Sequence, residues 1–236
     1  MIVLIITAVR IKSMDSHRIS GRILAENIAG PGMLRLVEQS MQARARKTSV
    51  TEIAVKERKH PQAALTFDDG PDIRYTPLLL DGLKERNVRV SFFLLGEKVE
   101  QYPELVERMQ KEGHLVGNHT YHHVQLNKLN ETKAREEILK TNNLIYETTG
   151  VYPLYLRPPF GAWKKNLELC VEMLPVFWTI DTLDWKVQNT EKIVRTVQEQ
   201  IEDGAIILMH DEYDTSVEAA LQVVDELKNQ GYELVT

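Results

Sequence analysis

From Pro61 to its end the chain alternates short apolar runs with longer stretches of helical period, and few architectures can absorb that rhythm. The strand candidates are AALTF (63–67), VRVSFFLL (88–95), HLVG (114–117), LYLR (154–157), VFWTI (176–180), AIILM (205–209) and YELV (232–235). Between them, apolar residues recur on one helical face, as Ile193, Val197 and Ile201 do, or Val217, Leu221, Val224 and Leu227. Thr76-Pro77 reads as a helix start, and Gly113, Gly150, Gly204 and Gly231 follow helix ends. Strands separated by covering helices pair in parallel, so the spacing predicts an α/β fold, a distorted (β/α) barrel of about seven parallel strands. A doubly wound sheet is the alternative. Hydrophobic residues at 43% and charged residues at 27% are enough to bury a sizeable core. Before Pro61 no period is sustained, and AGPG at 29–32 interrupts what there is. The division expected is therefore an N-terminal extension over residues 1–60 and one domain over 61–236.

The remaining totals exclude more than they assign. A net charge of −5 supplies no basic field to gather phosphates, which argues against nucleic acid as a partner and against acidic membrane surfaces. The basic cluster ARARK (43–47) reads as a solvated face. Cys170 is the single cysteine, so neither an intramolecular disulfide nor a cysteine metal cluster can form. The apolar run Ile2 to Val9 is far shorter than the roughly 20 residues that span a bilayer. No basic residue precedes that run and no clear cleavage pattern follows it, so no export signal is expected there.

In either architecture ligands collect at the carboxyl ends of the parallel strands, where the loops converge. Reactive side chains follow the strand candidates one after another. AALTF runs into Asp68-Asp69-Gly70-Pro71, which in isolation reads as a polar turn. HLVG runs into NHTYHH, in which His119 and His123 stand four apart and share a helical face, while His119 and His122, three apart, can also meet. Two imidazoles and one carboxylate leave an open position on a metal, the arrangement of a catalytic centre. With a metal present the paired acids make sense: one ligates, the other accepts a proton, and the cation relieves their repulsion. Adjacency does not say which does which. LYLR runs into RPPFG, where Arg157 can orient a carboxylate and the Phe160 amide can face an anion. VFWTI runs into DTLDW, with acids at 181 and 184 to pair a histidine and Trp185 to line a sugar-sized cleft. AIILM ends at His210, well placed as a general acid.

Taken together and in order, TFDDG, HTYHH (as His-Thr-x-x-His), RPPFG, DTLDW and LMH resemble the five motifs of the NodB-type polysaccharide deacetylases, carbohydrate esterase family 4, over residues 66–210. The resemblance implies that Asp69, His119 and His123 hold one divalent ion, zinc first, with cobalt, manganese or nickel as alternatives. His122 is then no ligand. It implies Asp68 as catalytic base, Arg157 as the arginine that holds it, Asp184 as the acid that tunes a histidine, and His210 as general acid. The Phe160 amide corresponds to the oxyanion donor, with Phe where many members carry Tyr, and Trp185 and Leu208 correspond to groove and acetyl-pocket residues. The function implied is removal of N-acetyl groups from an N-acetylglucosamine polysaccharide, peptidoglycan first and chitin oligomers second. An O-acetyl xylan esterase on the same site is the alternative, and a non-catalytic carbohydrate-binding relative ranks below it. A monomer with no protein partner, acting outside the cell or at its surface, is the remaining expectation.

Overall fold

A computed structural model describes residues 59–163 and 173–236. The expected extension over residues 1–60 lies outside these, apart from its last two residues, and so does Cys170.

Eight strands, all in parallel pairings, build one open, curled half-barrel among the described residues. They are β1 (Gln62–Asp68), β2 (Ser91–Leu94), β3 (Leu115–Asn118), β4 (Tyr155–Leu156), β5 (Leu174–Pro175), β6 (Ile180–Asp181), β7 (Ala205–His210) and β8 (Glu233–Val235). The spatial order is β5-β4-β3-β2-β1-β7-β6, and β8 joins β1 along its first residues. The helices between them are α1 (Tyr75–Glu85), α2 (Gly96–Gln101), α3 (Pro103–Lys111), α4 (Glu131–Thr149), α5 (Asp184–Val187), α6 (Thr190–Gln200) and α7 (Asp214–Asn229). None of the described helices is long and apolar enough to cross a membrane.

The central strands are mostly apolar because their residues are largely buried. Alternation then sorts their side chains. Ala63, Leu65 and Phe67 of β1, with Ala205, Ile207 and Met209 of β7, enter the core beneath α1, α6 and α7. The residues between them point the other way. The register pairs Thr66 with Leu208 and Asp68 with His210, so both carboxyl-terminal side chains emerge side by side on the concave face. A smaller cluster of Leu126, Ala134, Ile138 and Leu156 seats α4 against β4.

Six of the seven strand candidates survive nearly in place, whereas VFWTI shrinks to Ile180 within a strand that starts four residues later than expected. β5 has no counterpart in the expectations. It is two exposed residues, one a proline, on an edge, and carries neither alternation nor a continuous apolar run. α1 starts at Tyr75 rather than at Thr76-Pro77, because the Asp72 carboxylate accepts the Arg74 and Tyr75 amides at 2.8 and 2.9 Å.

Candidate active site

The site residues cluster toward the carboxyl ends of the strands, and those at the centre are turned inward by local devices. β1 delivers Asp68 onto the concave face, 3% exposed. Asp69 then leaves the strand with φ 69°, a left-handed conformation that Asp tolerates better than most residues. Its carboxylate therefore points away from the direction simple alternation would give. The Asp69 Oδ1 atom is buried and has no hydrogen-bond partner among the described residues. It lies 3.4 Å from the Nε2 atoms of both His119 and His123.

These three donor atoms lie within 4.8 Å of one another. Ligands about 2.1 Å from one ion at tetrahedral angles stand about 3.4 Å apart, so the Asp69 contacts have the spacing of a metal's first shell. The donor set is ready for it. Burial pushes the His119 imidazole down to about 3, outweighing the charge of Asp69, so the ring is neutral. Its Nδ1 stands 2.6 Å from the Arg157 carbonyl oxygen, which places the proton on Nδ1 and leaves the Nε2 lone pair free. An unpartnered carboxylate oxygen facing this nitrogen and the Nε2 of His123 fits a divalent cation. His122, the competing histidine, is outside the group: its side chain is 59% exposed and pairs with Glu137 at 2.8 Å.

Asp68 is bound from the side. Arg157, fully buried, donates from Nη1 to Asp68 Oδ1 at 2.8 Å and to Thr66 Oγ1 at 2.7 Å, while its guanidinium carbon lies 4.2 Å above the Phe93 ring. The Thr66 hydroxyl in turn donates to the Ile207 carbonyl at 2.7 Å. Burial raises the Asp68 pKa more than Arg157 and the nearby histidines lower it, so this carboxylate holds a proton more readily than an exposed one.

Opposite stands His210. Asp184, completely buried at the start of α5, accepts the His210 amide at 2.8 Å and faces its Nδ1 at 2.8 Å, so the Nδ1 proton points at a carboxylate and Nε2 faces the cluster. Burial alone would depress this imidazole. Asp184 through its hydrogen bond and charge, with Asp69 and Asp68 behind it, overcomes that and raises it to about 9. His210 is thus a protonated acid at neutral pH. Its Nε2 lies 3.8 Å from Asp69 Oδ2.

The remaining candidates form the rim. Phe160, in a turn with φ 59°, is 62% exposed and its ring lies 4.5 Å from that of His123. Trp185 is half exposed beside the buried Asp184, and Leu208 is buried on β7 two residues before His210. Asp181, the other acid in DTLDW, accepts the Leu183 amide instead of meeting a histidine.

Several supports went unforeseen. Asn118, the last residue of β3, donates to the Ile138 carbonyl and to Asn142 Oδ1, and accepts the Thr120 amide at 2.6 Å. Gly96 gives its amide to the Thr120 carbonyl at 2.9 Å, at an approach so close that a Cβ would strike Tyr121 and Thr141. Asp211 is fully buried under the Asp69-Gly70 turn, where a side chain on Gly70 would overlap its carboxylate, and it accepts the Thr76 hydroxyl. Burial, opposed by Thr76 and Lys98, raises Asp211 to about 7. Only Asp211 carried a sequence signal, its place after His210; Asn118 and Gly96 look like ordinary loop-entry residues.

With the geometry in place, comparison with known proteins is informative. The family model described as polysaccharide deacetylase matches residues 55–177. The peptidoglycan-N-acetylglucosamine deacetylase PgdA of Listeria monocytogenes is 41% identical over 181 residues, 77% of this chain and 39% of the relative. The chain thus spans about two-fifths of the length of that relative. A peptidoglycan-N-acetylglucosamine deacetylase of Bacillus cereus is 36% identical over 181 residues, 73% of this chain and 84% of its own length. Among solved structures, the peptidoglycan deacetylase PdaC from Bacillus subtilis superposes with a TM-score of 0.73 at 41% identity, covering 75% of this chain and 88% of that one.

Proposed function

The chain belongs to the polysaccharide deacetylase family, and from that membership and its site we propose that it is a metal-dependent hydrolase of N-acetyl groups on an N-acetylglucosamine polysaccharide, peptidoglycan first. The observation that carries this reading is the convergence of Asp69, His119 and His123 between the buried Asp68 carboxylate and the His210 imidazole. The names of the relatives, peptidoglycan deacetylases, support the choice of polymer.

Asp69, His119 and His123 would hold the ion, zinc first for a two-imidazole, one-carboxylate set, and it would polarise the acetamide carbonyl and acidify water, to a pKa of about 7 in favourable sites. Asp68 takes the proton of the attacking water. Its burial favours the protonated product, and Arg157 keeps the acceptor oxygen aimed. Attack turns the carbonyl into a tetrahedral oxyanion, which the Phe160 amide receives; losing a donor of this kind typically costs about 2.7 to 4 kcal/mol of barrier. His210 gives its Nε2 proton to the nitrogen as the C–N bond breaks, leaving acetate and a free amine. Asp184 holds the imidazole in the tautomer and orientation this needs. Trp185 and Leu208 border the sugar and acetyl positions.

The test is mass spectrometry of acetyl loss over a panel of N- and O-acetylated glycans, with and without chelator. Acetate release from N-acetylglucosamine polymers is expected, abolished by chelation and restored by zinc. Asp68→Asn and His210→Ala are expected to retain metal while turnover falls by about 10²- to 10⁴-fold, and His119→Ala to lose both. Selective loss of O-acetyl groups would establish the xylan-type esterase instead. A fully loaded protein that releases nothing from any substrate would leave the non-catalytic reading.

A further inference from the structure

Between His119 and His123 the backbone passes through two non-glycine residues in the left-handed region, Thr120 at φ 67° and His123 at φ 54°. Such residues persist only where their surroundings over-determine them. Most of the loop's anchors are backbone groups or members of the strand itself. One is neither. Glu137, one-sixth exposed on α4, reaches across and accepts two consecutive loop amides on a single carboxylate oxygen, Tyr121 at 3.1 Å and His122 at 2.9 Å. Its other oxygen takes the His122 imidazole at 2.8 Å, which holds that ring out of the cluster.

The helix around Glu137 is tied to the origin of the loop. The Thr141 hydroxyl donates to the Glu137 carbonyl at 3.1 Å, and the next turn of α4 binds Asn118 through the Ile138 carbonyl and Asn142. One stretch of α4 therefore grips the loop at its origin and at its middle. The His119 and His123 rings, 5.0 Å apart between centroids, are spaced by what happens to the residues in between.

We propose that Glu137 is a positioning residue for the metal site: by clamping the Tyr121 and His122 amides it presets the His119–His123 separation and so raises metal affinity. The inference rests on reading Asp69, His119 and His123 as metal ligands. Without the clamp, the loop must be ordered when the ion arrives, and the ordering is subtracted from binding. Partners that orient metal ligands from outside typically change affinity by about 10- to 100-fold.

The experiment measures zinc affinity of the full chain by competition with a chelating dye, and the visible absorption of bound cobalt. Glu137→Ala is expected to weaken zinc binding by about 10- to 100-fold and to alter the cobalt spectrum as His123 is released. Glu137→Gln, which keeps an oxygen to accept the two amides, restores most of the affinity and the wild-type spectrum. That rescue separates positioning from a general loss of structure, and it remains readable if the alanine variant does not fold. Wild-type affinity and spectrum in Glu137→Ala would overturn the proposal, as would a Gln variant that folds yet binds as weakly as Ala. A wild-type chain that binds zinc, responds to Glu137→Ala, and still releases no acetate would sink the proposed reaction while leaving the clamp in place. A wild-type chain that takes up no metal would overturn both.

Discussion

Asp68 lies on β1 with its side chain on the face shared by Thr66, while Asp69 has already left the strand at φ 69°. That single change of backbone region sends two identical carboxylates to different neighbours: Asp68 to Arg157, Asp69 to two imidazoles. The same economy governs His210, whose proton is held by Asp184. Its pKa of about 9 lies above the ordinary 6.5, so the charged pair is fully formed below pH 6.5 and is lost as pH rises through about 9. A reaction that needs the imidazolium should therefore fall off on the alkaline side. In Asp184→Asn the charge that raises the imidazole is lost and a neutral amide oxygen is the weaker acceptor, so the alkaline limb of the kcat profile should move to lower pH. An unmoved limb in a folded Asp184→Asn protein would show that His210 is not the titrating acid. At this scale the residue types were legible in the chemistry of the segments, while their division of labour came only through the resemblance, since adjacency in sequence says nothing of φ.

Among elements, the strands buried on both faces announced themselves and the thin edges did not. AALTF and AIILM are mostly apolar because their residues are buried, alternate ones entering the core beneath the helices. β5, with both residues exposed, has no such pressure on its composition. The junction of α2 with the histidine loop was equally silent, because a glycine before a helix reads as a routine start. Its real constraint is contact: the Cα of Tyr121 lies 3.1 Å from where a Gly96 Cβ would sit, with Thr141 on the other side. Gly96→Ala should accordingly destabilise the domain by about 1 to 3 kcal/mol, the usual cost of forcing an atom into a packed site. Denaturant unfolding checks this; a midpoint equal to wild type would mean the junction is looser than its contacts imply.

Across the whole molecule the site is assembled from the ends of five strands and their loops, with Arg157 after β4 reaching Asp68 on β1 and His210 on β7 paired beside it in register. An ion bound there ties β1 to the loop after β3 in the folded state only. Saturating zinc, at a hundredfold excess over Kd, should add about 2.7 kcal/mol of stability. In a domain of this size that raises Tm by about 5 to 10 °C. Chelator should reverse the shift, and a melting curve indifferent to both would argue against any metal at this position. Local chemistry was enough to recognise the βα rhythm, the five reactive segments and the family they resemble, because hydrophobic period and residue type are written along the chain. Which acid meets the imidazoles and which histidine is turned away could be had from the sequence only through the resemblance, not from spacing, and that Glu137 and Asn118 hold the loop depended on folding. Those contacts join residues well separated along the chain, and their partners, a helix glutamate or a strand-end asparagine, look ordinary until the sheet curls and brings them together.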